Sequence, residues 1–152
     1  MLLGDKATTL QKLKIKSAII PKVLSFKVID YLKNKEIYIR EIKKNFKQVA
    51  IRSSNFAEDS NHSSGAGKFL SILNINANNK THVDNNINKV INSYKNYEHK
   101  KNRILIQEMV KDIVVSGVAT SCVKEDLSPY YVINISKSSD STIITSGKDT
   151  NN

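Results

Sequence analysis

Residues 49–75 read VAIRSSNFAEDSNHSSGAGKFLSILNI. The pattern predicts a short strand, a long polar loop and a second strand. Gln48 to Ile51 form the first strand and deliver Arg52, Ser53 and Ser54 at its carboxyl end. Asn55 to Ser64 is hydrophilic and carries the acidic pair Glu58 and Asp59; Ser63-Ser64-Gly65-Ala66-Gly67 then re-enters the chain at Phe69 to Ile75, a nearly continuous apolar run expected to be buried. A cation at a strand end facing a loop of small residues suits an anionic oligophosphate. Arg52 offers a planar fork of donors, and glycines let backbone N–H groups approach phosphate oxygens. The same letters also describe an ordinary surface hairpin with a solvated arginine. They do not describe a Walker A loop, which needs Gly at His62 and Ser or Thr at Phe69.

At 152 residues the chain has the length of about one domain, enough to bury a real core. No apolar run reaches the roughly 20 residues of a membrane span, and the amino terminus lacks a signal-peptide pattern. The single cysteine, Cys122, excludes an intramolecular disulfide and a cysteine zinc cluster. A reducing cytoplasm is the expected compartment. The net charge of +10 invites a nucleic-acid reading. Lysines spread along the chain and alternating with asparagine, with no basic-aromatic module, argue against nucleic acid as a partner.

Around the central stretch, Asp5 is placed to cap a helix from Lys6 to Leu13 with Ala7, Leu10 and Leu13 on its apolar face. Lys6 in its first turn is a solvated lysine or a partner for an anion gathered there. Ser17 to Phe26 reads as extended, broken at Pro21, and Ile29 to Lys35 and Glu36 to Lys47 read as helices. Thr81 with Asp84 resembles a capping box opening a helix whose stripe is Val83, Ile87, Val90, Ile91 and Tyr94. Strands follow at Arg103 to Met109, Val114 to Cys122 and Tyr130 to Ile135, with Gly117 marking a close backbone approach or a bulge. A serine loop, the run Thr142 to Thr145 and a polar tail from Lys148 to Asn152 end the chain. The sum is an α+β domain, mostly antiparallel sheet with flanking helices. His62, His82 and His99 have no partner at ligand spacing, and no histidine is placed to activate Cys122. Nucleophilic and metallohydrolase signatures are missing.

Three stretches in fixed order carry a family resemblance. LGDKATTLQKL followed by IIP, IRSSNFAEDS…SSGAGKFLSILNI, and IQEMVKDIVVSGVATS resemble successive segments of the phosphoenolpyruvate synthase and pyruvate phosphate dikinase family. The resemblance spans nearly the whole chain. It implies an ATP-grasp-like, ATP-binding region of a larger phosphotransferase, with ATP and Mg²⁺ as cofactors. Carried over residue by residue, Lys6 and Arg52 contact the ATP phosphates, and the loop containing Ser63, Ser64, Gly65 and Gly67 covers them. Gln107, Glu108, Met109 and Val110 form the edge that receives adenine, mainly through backbone groups.

The closing stretch DLSPYYVINISKSSDSTIITSG is similar to a narrower branch, the PEP-synthase-like kinases of capsule pathways typified by L-glutamine kinase. There ATP phosphorylates an intermediary histidine, and the amide nitrogen of glutamine then receives a phosphoryl group, leaving AMP and phosphate. This chain departs from the family pattern at three positions. Asn134 stands where the dikinase branch has a metal-supporting Glu, Ser146 where it has a Gln, and Leu70 where the family has a Glu. Asn134 is thus the one metal ligand the resemblance implies, and its neutral oxygen holds Mg²⁺ less firmly than a carboxylate. None of the three histidines lies in the family's phosphohistidine motif, so the phosphohistidine and acceptor domains are expected elsewhere in the same polypeptide. The alternatives are phosphoenolpyruvate synthase or pyruvate phosphate dikinase proper, and a non-catalytic nucleotide-binding module.

Overall fold

The computed structural model describes residues 6–54, 70–94, 102–123 and 126–137. These divide into two compact units, Met1–Met109 and Val110–Asn152.

The first unit is built on a four-stranded antiparallel sheet. Its strands are β1 (Val23–Lys27), β2 (Gln48–Ser54), β3 (Ser71–Asn76) and β4 (Arg103–Glu108), in the spatial order β1-β4-β2-β3. Four helices accompany them: α1 (Lys6–Lys12), α2 (Val28–Lys33), α3 (Lys35–Asn45) and α4 (Lys80–Asn92). β4 enters between β1 and β2, so the pair α2–α3 and the helix α4 each form a crossover linking strands that are not neighbours.

The register sorts every strand residue to one of two faces, because side chains alternate along a strand. Ile51 pairs with Ile106, and Ile106 with Leu24; Ser53 pairs with Ile104, and Ile104 with Phe26. This face meets α2, α3 and α4 in one apolar cluster that includes Val49, Ile51, Ile104, Ile106, Tyr31, Ile42, Val83, Ile87 and Val90. The stripe expected on α4 is buried at all five positions, Val83, Ile87, Val90, Ile91 and Tyr94. The other face carries Ala50, Arg52 and Ser54 on β2, Arg103, Leu105 and Gln107 on β4, and Val23, Ser25 and Lys27 on β1. α1 lies against β1 and β4. Its Ala7 is buried, as are Ala50 and Leu105.

Local chemistry sets the element ends. α4 is capped by Asn79, whose side-chain oxygen accepts from the His82 N–H at 2.9 Å, rather than by the Thr81–Asp84 pair. Asn86 is buried inside the same helix and satisfies itself by donating to the His82 carbonyl at 2.7 Å. α2 and α3 are separated by Asn34, whose N–H closes the last turn of α2 onto Asp30 and Tyr31. The segment expected to be extended from Ser17 instead leaves a turn at residues 16–17 and becomes a strand only at Val23.

The strand after the polar loop departs from its expected burial. β3 is an edge strand, and of its residues only Ile75 is fully enclosed, while Leu70 just before it is exposed. Apolar letters in a row do not reveal how many neighbours a strand has. A bulge between Val49 and Ile51, with Asn74 at φ 59°, shifts its register against β2.

The second unit contains a hairpin of β5 (Ser116–Thr120) and β6 (Val132–Ser136). Gly117 pairs with Ile135, and a Cβ at Gly117 would stand 2.8 Å from the Asn134 carbonyl oxygen. The close approach expected of that glycine is present. Cys122 is half-buried just past β5, and its carbonyl accepts from the Thr120 hydroxyl at 3.0 Å. Thr142 to Thr145 and the tail lie outside the described residues.

Candidate nucleotide site

Arg52 is placed by three constraints on the end of β2. β2 is an interior strand, so its backbone is fixed by ladders on both sides, with Arg52 opposite Leu105 of β4 and Ser71 of β3. Ser53 N–H donates to the Leu70 carbonyl at 3.3 Å, tying the strand end to the far side of the loop. Ser54, fully buried, donates its N–H to the Tyr94 hydroxyl at 2.9 Å and accepts from the Ala7 N–H at 3.1 Å.

The guanidinium itself is half-buried, and its Nε is enclosed with no hydrogen-bond partner among the described residues. Buried donors in native proteins nearly always have a partner, and a lost one costs about 1–3 kcal/mol. A cation with an unmet, directed donor is therefore prepared for an acceptor that the described residues do not supply.

The surroundings select the sign of that acceptor. Arg52, Arg103 and Lys27 share one face of the sheet, and no carboxylate lies on that face of β1, β2 or β4. Arg103 donates there from Nε to the Ser25 hydroxyl at 3.0 Å. Glu108, the acid of β4, falls on the opposite face. Along the sequence the positive excess lies in the amino-terminal third: residues 1–54 hold 13 of the 24 Lys and Arg but only 4 of the 14 Asp and Glu.

The other expected residues are distributed as follows. Lys6 is the first residue of α1, next to the Ala7 that bonds Ser54, so it begins its helix at the Arg52 end of β2. The Ala7 amide is taken by Ser54 and is not offered to an anion. Gln107 lies on the face of Arg52, one row along the sheet, opposite Ala50. Glu108 and Met109 are exposed and half-buried respectively, and both N–H groups are bonded within the fold, to the Lys22 carbonyl at 2.9 Å and the Gln48 carbonyl at 3.0 Å. Val110, two residues past the end of β4, is exposed. Ser63, Ser64, Gly65 and Gly67 lie outside the described residues, as do His62, His99 and Ser146. Asn134 sits exposed on β6, in the second unit. Among the described residues no group of three or more His, Cys, Asp or Glu converges to hold a metal ion. Ser54 and Tyr94 were not legible as partners of this site, because their bonds bridge 47 and 40 residues.

No helix among the described residues is long and apolar enough to cross a membrane. The family model of the pyruvate phosphate dikinase AMP/ATP-binding domain matches residues 5–146. No curated protein and no solved structure matches the chain. The matched span contains the whole sheet, the cationic face and every residue singled out above, and on that ground the chain belongs to the pyruvate phosphate dikinase family, as its AMP/ATP-binding domain.

Proposed function

We propose that ATP binds along the cationic face of the first unit, with its phosphates at Arg52 and Lys6 and its adenine at the Gln107–Val110 end of β4. The observation that carries this reading is the enclosed Nε of Arg52, without a partner among the described residues, on a face where β1, β2 and β4 place no carboxylate. The dimensions agree. From the row of Gln107 and Ala50 to the row of Ser54 and Arg103 is four residues of strand, about 13 Å, the scale of an extended nucleotide. Ser63, Ser64, Gly65 and Gly67 are the residues of the loop proposed to close over the phosphates. With the N–H groups of Glu108 and Met109 already bonded, the adenine edge would be read by carbonyl oxygens and by Val110.

Phosphoryl transfer needs positioning and charge neutralisation more than covalent chemistry from the protein. Arg52 and Lys6 would orient the phosphates and balance the charge that develops on them. The described residues do not form a Mg²⁺ cage on their own. Asn134 is the one metal ligand the resemblance implies, and its oxygen is neutral, so a bound Mg²⁺ would take most of its shell from other oxygens. The chain would be the ATP-grasp-like, ATP-binding region of a cytoplasmic phosphotransferase. Its phosphoryl group would go to a histidine on another domain of the polypeptide, and from there to a small acceptor such as the amide of L-glutamine in capsule modification.

Calorimetric titration with ATP and with adenosine, with and without Mg²⁺, tests this on wild type and Arg52→Ala. Charge-assisted hydrogen bonds contribute about 1.5–3 kcal/mol, so the variant should bind ATP roughly 10- to 150-fold more weakly and adenosine unchanged. Equal losses for both ligands would remove Arg52 from the phosphates. A second reading, a nucleotide-binding module without turnover, is favoured by the neutral Asn134. It predicts binding without any AMP formed by the full-length polypeptide.

A further inference from the structure

We infer that Ser54 and Tyr94 are positioning residues for the phosphate end of this site. They hold the start of α1, and with it Lys6, against the strand end that presents Arg52. The inference rests on the ATP reading above and adds to it a mechanical link between its two cations.

Three hydrogen bonds run in series through the protein. The Ala7 N–H donates to Ser54 Oγ, the Ser54 N–H donates to the Tyr94 hydroxyl, and that hydroxyl donates to the Arg103 carbonyl oxygen. They join α1, the end of β2, the second residue past α4 and the start of β4. Ser54 and Arg103 are the last paired residues of β2 and β4, so the phenol sits where the ladder ends. Bridging an N–H to a carbonyl requires one group that both accepts and donates. A phenol does so, whereas Phe does neither and a carboxylate only accepts. Both side chains are enclosed, Ser54 at 0% and Tyr94 at 2% exposure, so water cannot substitute for either.

The link matters because α1 is seven residues long. An isolated helix of that length is unstable in water, so its place is decided by tertiary contacts. Buried Ala7 and its amide bond to Ser54 are two contacts that anchor its first turn. Without them the start of α1 is no longer fixed relative to Arg52, and a triphosphate spanning Lys6 and Arg52 must order the helix on binding. Adenosine, which reaches neither cation, is indifferent to that cost.

The experiment uses Ser54→Ala and Tyr94→Phe in the full chain. Amide exchange is measured without nucleotide, and ATP and adenosine are then titrated into each variant, alone and combined with Lys6→Ala. Exchange should accelerate in α1 while Ile104–Ile106 stay protected. ATP should bind about fivefold more weakly, the equivalent of one neutral hydrogen bond, with adenosine unchanged. Lys6→Ala should cost less in Ser54→Ala than in wild type, which a merely structural serine would not produce. Unchanged α1 exchange, or a Lys6→Ala effect of equal size in both backgrounds, would overturn the link. Wild type that fails to bind ATP would instead overturn the site reading, and the positioning role with it. If Tyr94→Phe unfolds, Ser54→Ala alone decides the matter, since it leaves the phenol bridge in place.

Discussion

Replacing Arg52 by Met should raise the stability of the nucleotide-free protein and lower that of the ATP-bound protein, so that the order of melting temperatures reverses on adding ATP. Met preserves most of the side chain's apolar length and removes the enclosed Nε. An unsatisfied buried donor costs about 1–3 kcal/mol, and the partial exposure of Arg52 places this one near the lower end, about 1 kcal/mol. For a unit of this size that is a gain of about 4 °C. With ATP at 100 times the wild-type dissociation constant, mass action adds about 2.7 kcal/mol to wild type. If the variant binds 100-fold more weakly, the same ATP adds about 0.4 kcal/mol. The variant should then melt above wild type without ATP and below it with ATP. Circular dichroism melts at one protein concentration, with and without ATP, read both limbs. A variant less stable than wild type without ATP would show that Nε is not an unmet donor. An ATP shift equal to wild type's would show that the phosphates lie elsewhere. Either result refutes the reasoning.

Two further outcomes follow from other parts of the fold. The Tyr31 phenol is pushed far above its ordinary value by burial first, and then by its hydrogen bond to Asp84 at 2.5 Å. A folded-state pKa above the unfolded value near 10 means that the stability is fully present below about pH 10 and is lost as pH rises further. Denaturant melts from pH 8 to 11 should show that fall, and Tyr31→Phe should flatten it, leaving a smaller slope of the same sign from Tyr38, which partial burial also raises. In the second unit, Gly117→Ala would drive a Cβ to within 2.8 Å of the Asn134 carbonyl oxygen, a backbone atom that cannot rotate away. Amide protection should be lost across Ser116–Thr120 while Ile104–Ile106 are unaffected; retained hairpin protection would show that the strands can separate at little cost.

The parts of the fold that sequence made legible are those governed by short-range periodicity. The five-position stripe of α4, the strand delivering Arg52 and the close contact at Gly117 each follow from residues within a few turns or pairs of one another. Edge and interior strands were not distinguishable, because β3 and β4 are both apolar runs and only sheet order decides that one has two neighbours. Capping was misplaced by two residues, since Asn79 competes with Thr81 for the same role and the asparagine wins by reaching the His82 amide. At the site, Arg52 and Lys6 were legible as candidate anion partners from the strand end and the helix start, whereas Ser54 was not, because its partners lie 47 and 40 residues away. Nothing local to Ser54 distinguishes it from Ser53, which falls on the helix-covered face one residue earlier.

That alternation of faces has a consequence for how the unit tolerates change. Ile51, Ile104 and Ile106 point into the cluster with α2, α3 and α4, where truncating one to Ala costs about 2–5 kcal/mol. The residues between them, Arg52, Arg103 and Gln107, point to the other face, where polar groups and a short helix take the place of a core. Stability is thus concentrated on one side of the sheet, and the proposed ligand site lies on the other, with neighbouring residues in one strand serving each. An unmet donor such as Arg52 Nε can persist only on a scaffold stabilised independently of it. The four-stranded sheet with its three covering helices supplies that independence, and Ser54 with Tyr94 fixes the strand end where the two faces meet.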